Sequence, residues 1–198
     1  SVEGFSNYQT KLPHQHQTMR MALDWSYRAI PLSAQILLRR MALFPNGALL
    51  EMIEQVCTFT PSDSPELPRI DVMENIVILL DHNLLLRRES DSFEIYFAML
   101  ETVREYALEQ LDKSAERGQL FSYIANYYFE RIRTISPSLT SHEAERWIQH
   151  LDQHYPNIRA ILVWALQERG DPVIGLKIVA AIWRYWDWCS MTEEGCLW

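Results

Sequence analysis

Apolar residues recur at three-and-four spacing through much of the chain, the pattern of helices that bury one face. Met19, Ala22, Leu23, Ser26 and Tyr27 predict a first helix from near Thr18. Leu32, Ile36, Leu37, Arg40 and Met41 predict a second, stopped by Pro45-Asn46-Gly47. Leu49, Ile53 and Val56 predict a third over 48–57, and Pro61, Pro65 and Pro68 among Ser62, Asp63 and Ser64 predict a polar loop. Asp71 is placed to cap a fourth helix carrying Val72, Ile76, Val77, Leu79 and Leu80, which ends near Asp81-His82-Asn83.

The period then changes. Leu84 to Arg88 and Phe93 to Ala98 have strand character, and Glu89-Ser90-Asp91-Ser92 between them has turn composition, so this stretch predicts a β-hairpin. Helix resumes with Leu100, Val103, Arg104, Ala107, Leu108 and Leu111. Helices followed by a hairpin is the order of a winged-helix domain, with the hairpin as its wing. Beyond Ala115 the pattern is helical alone, in runs over 120–134, 142–155, 157–168 and 173–188 separated by Pro137, Pro156 and Gly170-Asp171-Pro172.

Such short connections predict antiparallel helical hairpins that stack, the start of an α-solenoid. Trp164 and Trp198 stand 34 residues apart, the tetratricopeptide period. The expected fold class is mainly α. A linker over 1–17 is followed by a winged-helix-like domain with a small β-hairpin over 18–112 and a truncated tetratricopeptide-like region over 113–198.

With 48% hydrophobic and 22% charged residues, the 198-residue chain has the means to bury a core, which excludes wholesale disorder and fibrous classes. Its most apolar stretch, Val173 to Trp188, is broken by Lys177, Arg184 and Asp187, so no membrane span is expected. The chain opens Ser-Val-Glu-Gly-Phe, with neither an initiator Met nor an apolar leader; a cytoplasmic location is expected, equally for a piece of a longer polypeptide. Cys57, Cys189 and Cys196 form no CxxC and read as reduced thiols.

Charge bears on the winged helix, because DNA contact needs clustered Lys and Arg. The net charge is -8, and residues 1–112 carry 9 basic against 16 acidic side chains, the wrong sign for a phosphate backbone. The helix in the recognition position, Asp71 to Leu80, has no basic residue and is too apolar for a groove. DNA contacts, under the alternative of a DNA-binding winged helix, fall to Arg39, Arg40, Arg87 and Arg88.

The stretch from Gly170 through Gly175 to Lys177 nearly spells a phosphate loop. It follows a helix, its lysine is displaced by Leu176, and Ile178 stands where a hydroxyl is needed, so it reads as a helix connection. His142-Glu143 with Arg146 lacks the second histidine of a zinc-protease helix, and His142, His150 and His154 read as one solvated helix face. No catalytic or metal site is expected. Trp183, Tyr185, Trp186 and Trp188 form an aromatic cluster, with Trp183, Trp186 and Trp188 as partner-binding candidates and a packing face as the plainer role.

Three strings carry a family likeness: His16-Gln17-Thr18-Met19-Arg20-Met21-Ala22-Leu23-Asp24-Trp25-Ser26-Tyr27, Leu38-Arg39-Arg40-Met41-Ala42-Leu43-Phe44, and Met99-Leu100-Glu101-Thr102-Val103-Arg104-Glu105-Tyr106-Ala107. Together with Tyr155 to Leu166 and Glu194-Gly195 before Leu197-Trp198, they resemble bacterial STAND-class signal-transduction ATPases. These are often joined to LuxR-type or antibiotic-regulator-type DNA-binding domains.

The resemblance implies a regulatory, non-catalytic segment. Its winged helix docks on an NTPase core that lies elsewhere and binds ATP or ADP, and its helices begin a repeat platform that senses an effector or protein partner. In related NTPases a Met-His-Asp motif lets histidine contact the nucleotide's phosphate. Here the matching stretch is Met99-Leu100-Glu101, and Leu100 cannot donate a hydrogen bond. Arg104 is the nearby candidate for that role, set against its pairing with Glu101 or Glu105 on the same helix.

Overall fold

The computed structural model describes residues 14–58, 68–89, 94–136, 144–168 and 170–198. The protein is mainly α with a small three-stranded antiparallel sheet. Helix α1 (His14–Ala29) starts earlier than the spacing predicts, so residues 14–17 of the expected linker are helical; the rest of that linker lies outside the described residues. Helix α2 (Leu32–Met41) follows directly.

The expected helix over 48–57 is split. Ala48–Leu49 form a strand, β1, and helix α3 runs from Leu50 to Cys57. Two residues are too short for alternation to reveal; pairing with Phe97 and Tyr96 is what makes them a strand. Gly47 makes the approach possible, with φ 79° and a backbone so close to β3 that a Cβ there would meet the Phe97 carbonyl oxygen at 2.6 Å.

Helix α4 (Val72–Asp81) is capped as expected, the Asp71 carboxylate accepting from the Glu74 N–H at 3.0 Å. The predicted proline-rich loop before it lies largely outside the described residues, as does most of the hairpin turn. Strands β2 (Leu86–Glu89) and β3 (Ile95–Ala98) pair with Arg88 opposite Tyr96, and Glu89 belongs to the strand, not the turn. The sheet order β1-β3-β2, entered through α2, α3 and α4, is the topology of a winged helix.

Helices α5 (Glu101–Lys113) and α6 (Arg117–Ile135) are joined by a turn in which Ala115 has φ 58°. Helix α7 (Ala144–Leu162) passes straight through Pro156, where sequence alone predicts a break. The proline removes only the hydrogen bond to the Asp152 carbonyl, and burial of Leu151, Tyr155, Ile158, Ile161 and Leu162 keeps the two halves in line. A π-helical turn (Val163–Gln167) ends it, with Trp164 stacked on Phe121 at 5.1 Å.

Helix α8 (Pro172–Trp188) packs against both α6 and α7, and a short helix α9 (Thr192–Leu197), which the apolar spacing did not predict, closes over Trp186. The apolar core is continuous across residue 112: Leu37 and Leu38, Ile76 and Leu79, Ala107 and Leu111, Leu120 and Ile124, Ile158 and Ile161, and Ile178 and Ile182 belong to one cluster. Each large aliphatic among them contributes about 1.5–3 kcal/mol by leaving water. No described helix is long and apolar enough to cross a membrane.

Candidate functional site

Two polar clusters join the winged helix to the helices that follow. In the first, Glu116 at the start of α6 is buried, and its carboxylate faces two consecutive arginines of α2. Arg40 donates to Oε2 from Nη2 at 2.6 Å and from Nε at 3.1 Å, and Arg39 donates to Oε1 from Nε at 2.7 Å. Arg40 is itself only 2% exposed and spends Nη1 on the Cys57 carbonyl at 2.7 Å. Burial alone would raise the Glu116 carboxyl; the Arg40 hydrogen bond and the charges of both arginines outweigh it and hold the group below its usual range. The left-handed turn at Ala115 is what aims Glu116 inward. Sequence reasoning missed it, since Lys113-Ser114-Ala115-Glu116-Arg117 reads as a polar connection.

The second cluster centres on Asn157 of α7. Its amide donates to the Gly47 carbonyl at 2.9 Å and to the Tyr128 hydroxyl at 3.1 Å, and its Oδ1 accepts from the Asn46 N–H at 3.1 Å. Gln153 extends the contact, its carbonyl accepting from Asn46 Nδ2 at 2.7 Å and its Oε1 from the Tyr96 hydroxyl at 2.9 Å. His154 lies beneath, buried between Tyr128 and Tyr96 with its ring 4.6 Å from that of His150. The expectation that His150 and His154 share a solvated face is thus corrected. His142 lies outside the described residues, and among those described no three His, Cys, Asp or Glu gather as metal ligands.

These clusters decide what the arginine candidates can reach. Arg39 and Arg40, named for DNA contact, are committed to Glu116, so neither is free for a phosphate. Arg87 and Arg88 do stand exposed on β2. Helix α4, which a DNA-reading winged helix would lay in the groove, exposes Met73, Glu74, Val77 and Asp81. That face is apolar and acidic, and it is less buried than the apolar spacing suggests.

Nor does the glycine-rich stretch before α8 cradle a phosphate. The Asp171 carboxylate already accepts from the Val173 and Ile174 N–H groups at 2.9 and 3.4 Å, placing a negative charge where an anion would sit. Gly170 packs on the Trp164 backbone and Gly175 on Leu166, both close enough to exclude a Cβ. Leu100 is exposed at the N-cap of α5. Arg104 donates to both Glu101 oxygens, at 2.6 and 3.0 Å, and points Nη1 at the Ala42 carbonyl.

The three tryptophan candidates separate. Trp186 is 3% exposed and donates to the Tyr155 hydroxyl at 2.9 Å, whereas Trp183 and Trp188 are exposed.

The chain is similar to proteins of Mycobacterium bovis and Mycobacterium tuberculosis that carry the provisional name HTH-type transcriptional regulator. It is 27% identical to each over 183 residues, 92% of this chain and 20% of theirs. It thus spans about a fifth of the length of the curated relatives it matches. No family model matches the chain, and no solved structure gives a significant match. Those names stand nearer to a DNA-binding regulator than to a nucleotide-driven switch.

Proposed function

We propose that the chain is a regulatory, non-catalytic segment of a transcriptional regulator. In this reading the winged helix of residues 18–112 docks on another part of the regulator, and residues 113–198 begin a tetratricopeptide-like platform for an effector or protein partner. The carrying observation is the outward face of α4, where exposed Met73 and Val77 stand beside Glu74 and Asp81. An apolar strip with an acidic edge suits a protein surface and repels a phosphate backbone. The two buried clusters support the docking role, since they tie the winged helix to the helices and let a push on either reach the other. On the resemblance to STAND-class ATPases, the surface that receives the winged helix is a cytoplasmic nucleotide-binding core holding ATP or ADP, while this chain binds neither.

A second reading, a winged helix that meets DNA through its wing, is favoured by the exposed Arg87 and Arg88 and by the names of the relatives. Fluorescence anisotropy with mixed-sequence duplexes at low salt separates the two. Docking predicts that R87E/R88E leaves a weak background signal unchanged. Loss of a sub-micromolar affinity in that variant contradicts it.

A further inference from the structure

Helix α8 is apolar on two sides, and among the described residues only one is filled. Ile174, Ile178, Ile182, Tyr185 and Trp186 face the core. On the opposite side Val173, Leu176, Ala180 and Trp183 follow one another at alternating steps of three and four, the spacing of a seam that receives a second helix. Val173, Leu176 and Trp183 are 59%, 57% and 49% exposed. A solvent-facing helix side normally carries polar residues, so an apolar seam here needs an occupant.

Charge says which occupant. Lys177 and Arg184 lie one heptad apart along a single edge of the seam, about 10.5 Å at 1.5 Å per residue. Both are exposed, and among the described residues neither is in an ion pair. Their contacts are aromatic: Lys177 Nζ sits 5.8 Å from the Phe129 ring centre and Arg184 Cζ 4.8 Å from that of Trp183. In a chain of net charge -8, two such cations along one apolar seam form a local positive edge, with Asp187 closing the seam's C-terminal end. A second copy of α8 fits poorly. Paired antiparallel about the midpoint of Ala180 and Ala181, it would set Lys177 of each copy against Arg184 of the other.

We propose that the outward seam of α8 is a docking site for an amphipathic helix whose apolar stripe is flanked by carboxylates at seven-residue spacing. Val173, Leu176, Ala180 and Trp183 take the stripe, and Lys177 and Arg184 take the carboxylates.

The probes are two synthetic helical peptides of roughly three heptads with leucine along the seam, one bearing glutamate and the other lysine at the flanking positions. Binding to the whole chain is read by anisotropy of labelled peptide. The glutamate peptide is expected to bind at least about tenfold more tightly than the lysine peptide, and K177E/R184E to invert that preference. W183A should weaken the glutamate peptide by about tenfold or more, with its circular dichroism melt close to that of the wild type. Equal binding of both peptides, or of neither, overturns the proposal. So does a concentration-dependent dimer in sedimentation that W183A dissolves, because the occupant would then be a second copy.

Discussion

Arg40 and Glu116, seventy-six residues apart in the chain, meet through two hydrogen bonds to a single carboxylate oxygen in a place that water barely reaches. A charge buried in this way is costly once its partner is gone. E116A and R40A are each expected to destabilise the protein by about 3–5 kcal/mol. The double variant R40A/E116A should lose clearly less than the two single losses added together, because neither Arg40 nor Glu116 is left buried without the other. Urea midpoints for the three variants check this; strict additivity would mean that the contact holds little of the joint together.

The turn that delivers Glu116 is strained. Ala115 has φ 58°, a conformation that costs a residue with a Cβ roughly 1–2 kcal/mol. Glycine relieves that strain but loses more freedom on folding, so A115G should stabilise by a net ~0.5–1 kcal/mol. A thermal melt showing destabilisation would place the strain elsewhere.

Burial, the neighbouring His150 and the charge of Arg131 push the His154 imidazole down to about 3. A histidine lowered on folding contributes stability that is complete above its ordinary value of about 6.5 and is lost as the pH falls from there toward the folded value. Glu116 is also lowered, so its share is complete above about 4.3 and is lost only below that. Only the upper part of the histidine window, above about 4.3, lies clear of the carboxylate's. Between pH 7 and 5 the wild-type urea midpoint should fall more than that of H154Q, and below about pH 4 the slope missing from E116Q should be the carboxylate's. Equal falls between pH 7 and 5 would show that His154 does not remain neutral in the fold.

Trp186 and Trp183 lie three residues apart on α8 with opposite environments. W186A removes a buried ring and leaves the Tyr155 hydroxyl without its donor, and should cost about 3–5 kcal/mol. W183A should cost less than about 1 kcal/mol. Comparable losses would mean that α8 has no open side.

Much of the fold is legible in local pattern, and the exceptions share a physical origin. Asp71 declares its cap and the hairpin its change of period, because both depend on neighbours in sequence. Ala48 and Leu49 become a strand only through Phe97 and Tyr96, and Pro156 stays inside a helix only because apolar contacts flank it. The candidate site is still less local. In the chain Glu116 stands in a polar connection and Asn157 only opens a helical run, yet each bonds to an element at least seventy residues away. Arg39 and Arg40 look available for phosphate, and a carboxylate beyond any local window takes them.

The docking role of the winged helix is tested most directly by the salt dependence of its affinity for DNA. Neutralising several phosphates makes log K fall steeply with log salt, by roughly 0.9 per phosphate contacted. With α4 acidic and apolar on its outward face and Arg39 and Arg40 held by Glu116, the whole chain should bind a mixed duplex no more tightly than about 10 μM at 50 mM salt, with a slope of magnitude below roughly 2. A sub-micromolar affinity with a slope of magnitude five or more, abolished by R87E/R88E, would contradict the docking role and make the wing a DNA contact.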